Sequence, residues 1–222
     1  MMPTVFDSTC RRCPRLAAFL DDVKSEHPTY VCRPVPPFGD AGARLLIVGL
    51  APGKHGANRS GRAFTGDHAG ILLYATLHKF AMATGSVSRA ADDGLELRGV
   101  RITNAVKCLP PDNKPLPAEI ATCNAYLRAE LARSPTVGAI LALGTIAHEA
   151  VLRAYDLRKR DHRFAHGALH RLPNGVTLVD SYHCSRYNTQ TRRLTTAMFE
   201  DVVKRAQSIA GATTPGMAAG TR

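Results

Sequence analysis

The sequence has no tryptophan, and aromatic residues make up only 6% of its 222 positions. It also has no apolar run approaching the ~20 residues that a membrane-crossing helix needs. The N-terminus, MMPTVFDSTCRRC, lacks a positive segment followed by an apolar stretch, so no secretory signal is expected. Acidic residues are scarce: 18 Asp and Glu stand against 29 Lys and Arg, a formal net charge of +11. These absences argue against a membrane-spanning protein and a secreted enzyme, and a cytoplasmic chain is expected. Disorder of the whole chain is excluded by what is present, since 45% of residues are hydrophobic.

The positive charge is uneven. Residues 151–222 hold 12 Lys and Arg against 5 Asp and Glu. Such an excess fits a polyanionic partner. The six cysteines, at 10, 13, 32, 108, 123 and 184, read as ligands or core residues rather than disulfides in a cytoplasmic protein.

Short apolar runs alternate with helical patterns. Strands are expected at Arg44–Leu50, Val100–Asn104, Val137–Leu143 and Val176–Tyr182. Helices are expected at Asp67 to about Thr84, Pro117–Arg133, Thr145 to about Tyr155, and Thr189–Ile209. This alternation predicts a single-domain, three-layer αβα fold over residues 1–210, with a central, mainly parallel four-stranded sheet. Residues 211–222 read as a flexible tail. A ligand site in such a fold lies beyond the carboxyl ends of the strands.

Three unusual segments fall at that rim. The first, GLAPGKHGANRSGRAFTGD (Gly49–Asp67), is a Gly-rich loop that lets backbone approach a ligand closely. It is neither a Walker loop nor G-x-G-x-x-G. Phe64 offers a ring for stacking, and Asp67 suits either an N-cap or a functional carboxylate at a helix start. The second segment carries Asn104. The third, SYHCSRYNTQTRRLT (Ser181–Thr195), places His183 directly after a strand and follows it with phosphate-binding side chains. Cys10 and Cys13 form a C-x2-C pair, with Cys108 and Cys123 as distant singles. Zinc and a [4Fe–4S] cluster satisfy that spacing equally.

The three segments, in this order and with ITNAVKCLPPDNKP (Ile102–Pro115) around Asn104, resemble the uracil-DNA glycosylase superfamily. Within it the match is to family 5, the type-B iron–sulfur enzymes. The resemblance runs from about Cys10 to Thr195. It implies a monofunctional hydrolase that flips uracil, or hypoxanthine and other deaminated bases, out of double-stranded DNA and cleaves the N-glycosidic bond. It implies catalytic roles for Asp67, Asn104 and His183. It implies base contacts from Gly49, Ala51, Gly53, Phe64, Asn104 and His183. Ser185, Arg186, Asn188, Thr189, Gln190 and Thr191 match the loop pressed into DNA. Cys10, Cys13, Cys108 and Cys123 match ligands of a structural [4Fe–4S] cluster, with zinc as the alternative occupant.

Two departures stand out. Better-known glycosylase families carry a carboxylate two residues after the leading Gly, where this chain has Ala51; that assigns the carboxylate's work to Asp67. Cys184 replaces the proline that usually follows the histidine, which adds a backbone N–H and frees one dihedral. A monomer is expected. The alternative to an enzyme is a non-catalytic DNA-binding module with a structural four-cysteine metal site.

Overall fold

The computed structural model describes residues 6–212. Its sheet has six strands: β1 (Phe38–Gly39), β2 (Leu45–Gly49), β3 (Val100–Asn104), β4 (Ala139–Leu143), β5 (Leu169–Arg171) and β6 (Thr177–Ser181), in the order β1-β3-β2-β4-β6-β5. The four parallel strands are the four that the apolar runs predict. The expected four-stranded sheet is corrected by one short antiparallel strand at each edge, β1 on β3 and β5 on β6. Both additions are too short and too exposed to show an apolar run.

β2, β4 and β6 are buried at every position because helices cover both faces. Alternation along the strands divides the core. Leu45, Ile47, Leu141 and Val179 face α3 (His68–Lys79) and α7 (Thr196–Ala212), meeting Leu73, Leu77, Phe199 and Val203. Leu46, Val48, Ile140 and Leu178 face α4 (Pro117–Ala132) and α5 (Thr145–Ala154), meeting Leu127, Ala147 and Val151. α1 (Pro14–Glu26) packs beside this layer through Leu16, Leu20 and Val23. Arg15 reaches from it to both carboxylate oxygens of Glu119 on α4.

Three helix expectations are corrected. α3 ends at Lys79 because Ala81 turns left-handed and Met82 N–H bonds back to Leu77. The helix predicted over Thr189–Ile209 is two helices, α6 (Arg186–Gln190) and α7, in a chain numbered with α2 at Ala57–Ser60. Arg192 has φ of 57° at the break, and the Thr195 hydroxyl accepts from Met198 N–H to start the second helix. α7 also runs through Gly211 and Ala212, the first residues of the expected tail; residues 213–222 lie outside the described residues. Among the described residues no helix is long and apolar enough to cross a membrane.

Below the rim, the fully buried Asp180 of β6 ties two elements together. Its carboxylate faces His148 Nδ1 of α5 at 2.8 Å and His170 Nε2 of β5 at 3.0 Å. His148 Nε2 donates to the His162 carbonyl at 2.9 Å. Asp180→Ala leaves the buried His148 and the partly buried His170 without their shared acceptor. It is expected to lower unfolding free energy by about 3 kcal/mol or more, read from denaturant titration.

Candidate functional site

The carboxyl ends of β2, β3 and β6 deliver Gly49, Asn104 and Ser181 to one rim, and a cavity of about 430 Å³ opens there. Its walls include Ala51, Gly53, Phe64, Asp67, Asn104, His183, Ser185 and Arg186. These residues come from three widely separated segments of sequence, and the topology predicted from the strands brings them together.

The first segment is held in an unusual shape. Phe64 has φ of 57°, a conformation that costs a bulky residue energy and persists only where its surroundings impose it. Here they do. Arg62, 5% exposed, donates to Ser88 and both oxygens of Asp93, and its guanidinium lies 4.7 Å from the Phe38 ring. Tyr74 of α3 donates to the Ala63 carbonyl at 2.7 Å. The Phe64 ring therefore lies over Gly49, where a Cβ would come within 2.5 Å of both that ring and Asn104 Oδ1.

Asp67 begins α3 but does not cap it, since its side chain accepts nothing from its own helix. Its Oδ2 accepts from Ala57 N–H at 3.0 Å, at the start of α2. A Cβ on Gly56 would sit 1.9 Å from Oδ1, so the carboxylate touches bare backbone. Burial pushes the Asp67 carboxyl up from its ordinary value; main-chain N–H groups of Ala57 and Gly53 and the charge of Arg59 oppose this.

Asn104 is buried, and its Oδ1 has no hydrogen-bond partner. An orphaned buried acceptor is costly in a folded chain. Its position beside the cavity gives it a use for a ligand. His183 stacks at 6.3 Å and 28° against Phe64. Burial drives its imidazole down from 6.5 to about 4, so the ring is neutral near pH 7.

The third segment divides. Ser185 and Arg186 line the cavity. Asn188, Thr189 and Thr191 donate to the carbonyls of His183, Ser185 and Tyr187 respectively. They hold the turn and are not free for a phosphate through those donors. Gln190 is exposed. Tyr187, which sequence reasoning passed over, projects with 69% of its surface exposed. Leu50, His68 and Asn113 also line the cavity unannounced. A signal existed for Asn113: Asp112 and Asn113 both adopt positive φ, which these two residue types tolerate. Cys184 is fully buried in the core, and burial raises its thiol to about 12.

Two lysines near the motifs are engaged elsewhere. Lys54 pairs with Glu26 at 2.7 Å, and Lys107 is buried against Thr103 and Glu130. Neither lines the cavity.

Cys10, Cys13, Cys108 and Cys123 surround a second, small cavity with Leu16, Val106 and Tyr126. Cys108 is pushed up to about 12 by burial first and then by the other three thiols. No disulfide joins them. His148, His170 and Asp180 form a separate group whose ligand atoms lie within 4.8 Å of one another. A tetrahedral zinc with bonds of about 2.3 Å draws its sulfurs roughly 4 Å apart. Four thiols around one small cavity are a donor set that suits that ion or a cubane, whose irons each take one thiolate.

A rim of this kind, with a stacking ring, an amide, a neutral imidazole and a buried carboxylate, is that of an α/β enzyme built around a flat, polar-edged ligand. Residues 36–207 match the Uracil DNA glycosylase superfamily, and the chain belongs to it. It stands with the type-5 branch. A type-5 uracil-DNA glycosylase of Thermus thermophilus is 48% identical over 209 residues, covering 92% of this chain and 95% of that one. Those of Mycobacterium leprae and Pyrobaculum aerophilum are 45% and 42% identical, covering 92% and 91% of this chain and 93% and 89% of theirs.

The His183 shift has a thermodynamic consequence. Because its folded value lies below 6.5, the unfolded chain binds the extra proton between pH 6.5 and about 4. Stability contributed by the neutral ring is present above pH 6.5 and is lost as pH falls through that window, by on the order of 1–2 kcal/mol at pH 5. Melting curves at pH 7 and 5 are expected to show a smaller difference for His183→Gln than for the unaltered chain.

Proposed function

We propose that this chain is a monofunctional DNA glycosylase that removes uracil from DNA and leaves an abasic site for repair. The observation that carries this reading is the buried, unpartnered Asn104 Oδ1 at the floor of a cavity walled by Phe64 and His183. An amide so placed gains a partner from a base edge, and Phe64 supplies the face on which the base stacks. A purely structural DNA-binding module has no use for either.

The residues divide the chemistry as follows. A base inside a duplex is out of reach, so the nucleotide swings into the cavity at a cost of a few kcal/mol, lowest for a U·G mispair. The C1′–N1 bond breaks and its electron pair leaves with the base. Neutral His183 donates an N–H to the base oxygen where that charge gathers. The Asp67 carboxylate, when ionised, favours the cationic sugar and orients a water whose oxygen bonds to C1′ and whose proton leaves through the carboxylate or solvent. With no lysine among the cavity's lining residues, the reaction stops at hydrolysis. Ser185, Arg186 and the exposed Tyr187 press against the duplex opened by flipping, while Asn188, Thr189 and Thr191 stiffen that turn. Double-stranded DNA, a cytoplasmic location and a monomeric state go with this reading.

The cavity of about 430 Å³ is larger than a pyrimidine needs, so hypoxanthine is also a substrate in this reading. Cys10, Cys13, Cys108 and Cys123 hold a [4Fe–4S] cluster, which when bound supplies a structural cross-link and no step of the hydrolysis. Zinc is the other occupant their chemistry admits. Absorbance near ~400 nm with ~4 irons per chain is expected of the purified protein. A colourless protein holding one zinc removes the cluster from this account.

The direct test is base release from a U·G duplex with enzyme in excess. Asp67→Ala, Asn104→Ala and His183→Ala are each expected to slow release by about 10²-fold or more. Any variant that keeps the full rate loses its assigned role. Gly49→Ala is expected to fail similarly while melting within a few degrees of the unaltered chain, because its methyl occupies the space between Phe64 and Asn104.

A further inference from the structure

A second groove of about 420 Å³ lies beside the base cavity, and Asp67, His68 and Arg186 line both. Its remaining wall brings together segments that the base cavity does not use. Arg59 comes from α2, Ile71 from the outer face of α3, and Val87 and Arg89 from the loop after it. All four are exposed, Ile71 by 67% and Val87 by 56%. None of Arg59, Arg89 and Arg186 forms an ion pair among the described residues. At the junction of the two hollows, His68 Nδ1 is buried without a partner.

Three cationic forks around two exposed aliphatic side chains form a surface with two kinds of demand. The guanidiniums match phosphate oxygens. The aliphatic pair is costly to leave in water and suits the flat face of a base or the apolar side of a deoxyribose. A nucleotide seated in the base cavity sends its backbone out across the shared rim. The groove's continuity with that rim places it on the path of the chain one step along.

We propose that this groove holds the DNA strand flanking the flipped nucleotide, with Arg59, Arg89 and Arg186 on its phosphodiesters and Ile71 and Val87 against the adjoining base or sugar. The inference rests on the glycosylase reading and extends it from the damaged base to its neighbour. Specificity for sequence next to the lesion would then come from packing on Ile71 and Val87 rather than from base-edge hydrogen bonds.

The test is affinity against salt, using a duplex with one non-hydrolysable 2′-fluoro deoxyuridine. Each lost phosphate contact flattens the dependence of log affinity on log salt by about one. Arg59→Ala and Arg89→Ala are expected each to reduce the slope by about one and to weaken binding several-fold at low salt. Arg128→Ala on α4, which removes an exposed charge paired with Asp156, serves as the charge-matched control and is expected to keep the slope. The same variants are then measured on single-stranded oligomers trimmed from either end. Removing the flanking nucleotides on one side is expected to abolish the difference between variant and unaltered protein.

Unchanged slopes for Arg59→Ala and Arg89→Ala, with uracil release by the unaltered protein intact, overturn the groove and leave the glycosylase standing. A variant effect that survives trimming from both ends also overturns it, since the arginines then act elsewhere. Absence of uracil release from the U·G duplex by the unaltered protein overturns the glycosylase reading itself.

Discussion

Asp67 and Phe64 both press onto main chain that carries no Cβ, and the site's geometry depends on that contact. The carboxylate of Asp67 occupies the volume a side chain on Gly56 would fill, and the ring of Phe64 occupies that of Gly49. A carboxylate in contact with bare backbone is surrounded by N–H groups without being surrounded by water. Its pKa is raised by burial and partly restored by those donors. Asn104, pinned beneath the same ring, keeps an acceptor unspent. The cavity is therefore defined by close approach as much as by the side chains that line it.

Holding Phe64 in a left-handed conformation requires support from outside the loop. Arg62 provides it from below, bridging Thr65, Ser88 and Asp93 while stacking on Phe38. This buried arginine, though it does not line the base cavity, fixes where the aromatic wall stands. On the opposite side, Tyr182 is stacked on His166 at 5.0 Å and lies under Arg193 at 4.7 Å. The residue immediately before His183 is thus clamped from two directions. Both halves of the stacking pair Phe64 and His183 are positioned by cations and rings that the chemistry itself leaves untouched.

The sequence made the central architecture legible because β2, β4 and β6 are buried on both faces and so read as uninterrupted apolar runs. The edge strands were illegible for the converse reason: Phe38–Gly39 and Leu169–Arg171 are short, partly exposed and dictated by pairing with a neighbour. Helical periodicity carried across Thr191–Thr195 because Leu194 is buried and keeps the apolar spacing while the backbone breaks at Arg192. At the site, motif order located Phe64, Asp67, Asn104 and His183, which the fold gathers around one cavity. Motif order did not distinguish residues that face DNA from those that brace the turn. Asn188, Thr189 and Thr191 are donors in either role, and only their hydrogen bonds to carbonyls of the same turn show them bracing it.

The strand order carries a kinetic cost. Leu45 is paired with Val100 on one side and Ala139 on the other, and Ala139 in turn with Thr177. No parallel strand meets its neighbour until a crossover of tens of residues has been made, so closure entropy is met long before the ladder rewards it. β2, apolar at nearly every position, emerges early in synthesis and waits for β3 and β4 to be made. During that interval the future centre of the sheet is an unpaired, adhesive edge. The step most exposed to aggregation is thus the assembly of the strands that later carry Gly49 and Asn104 to the cavity.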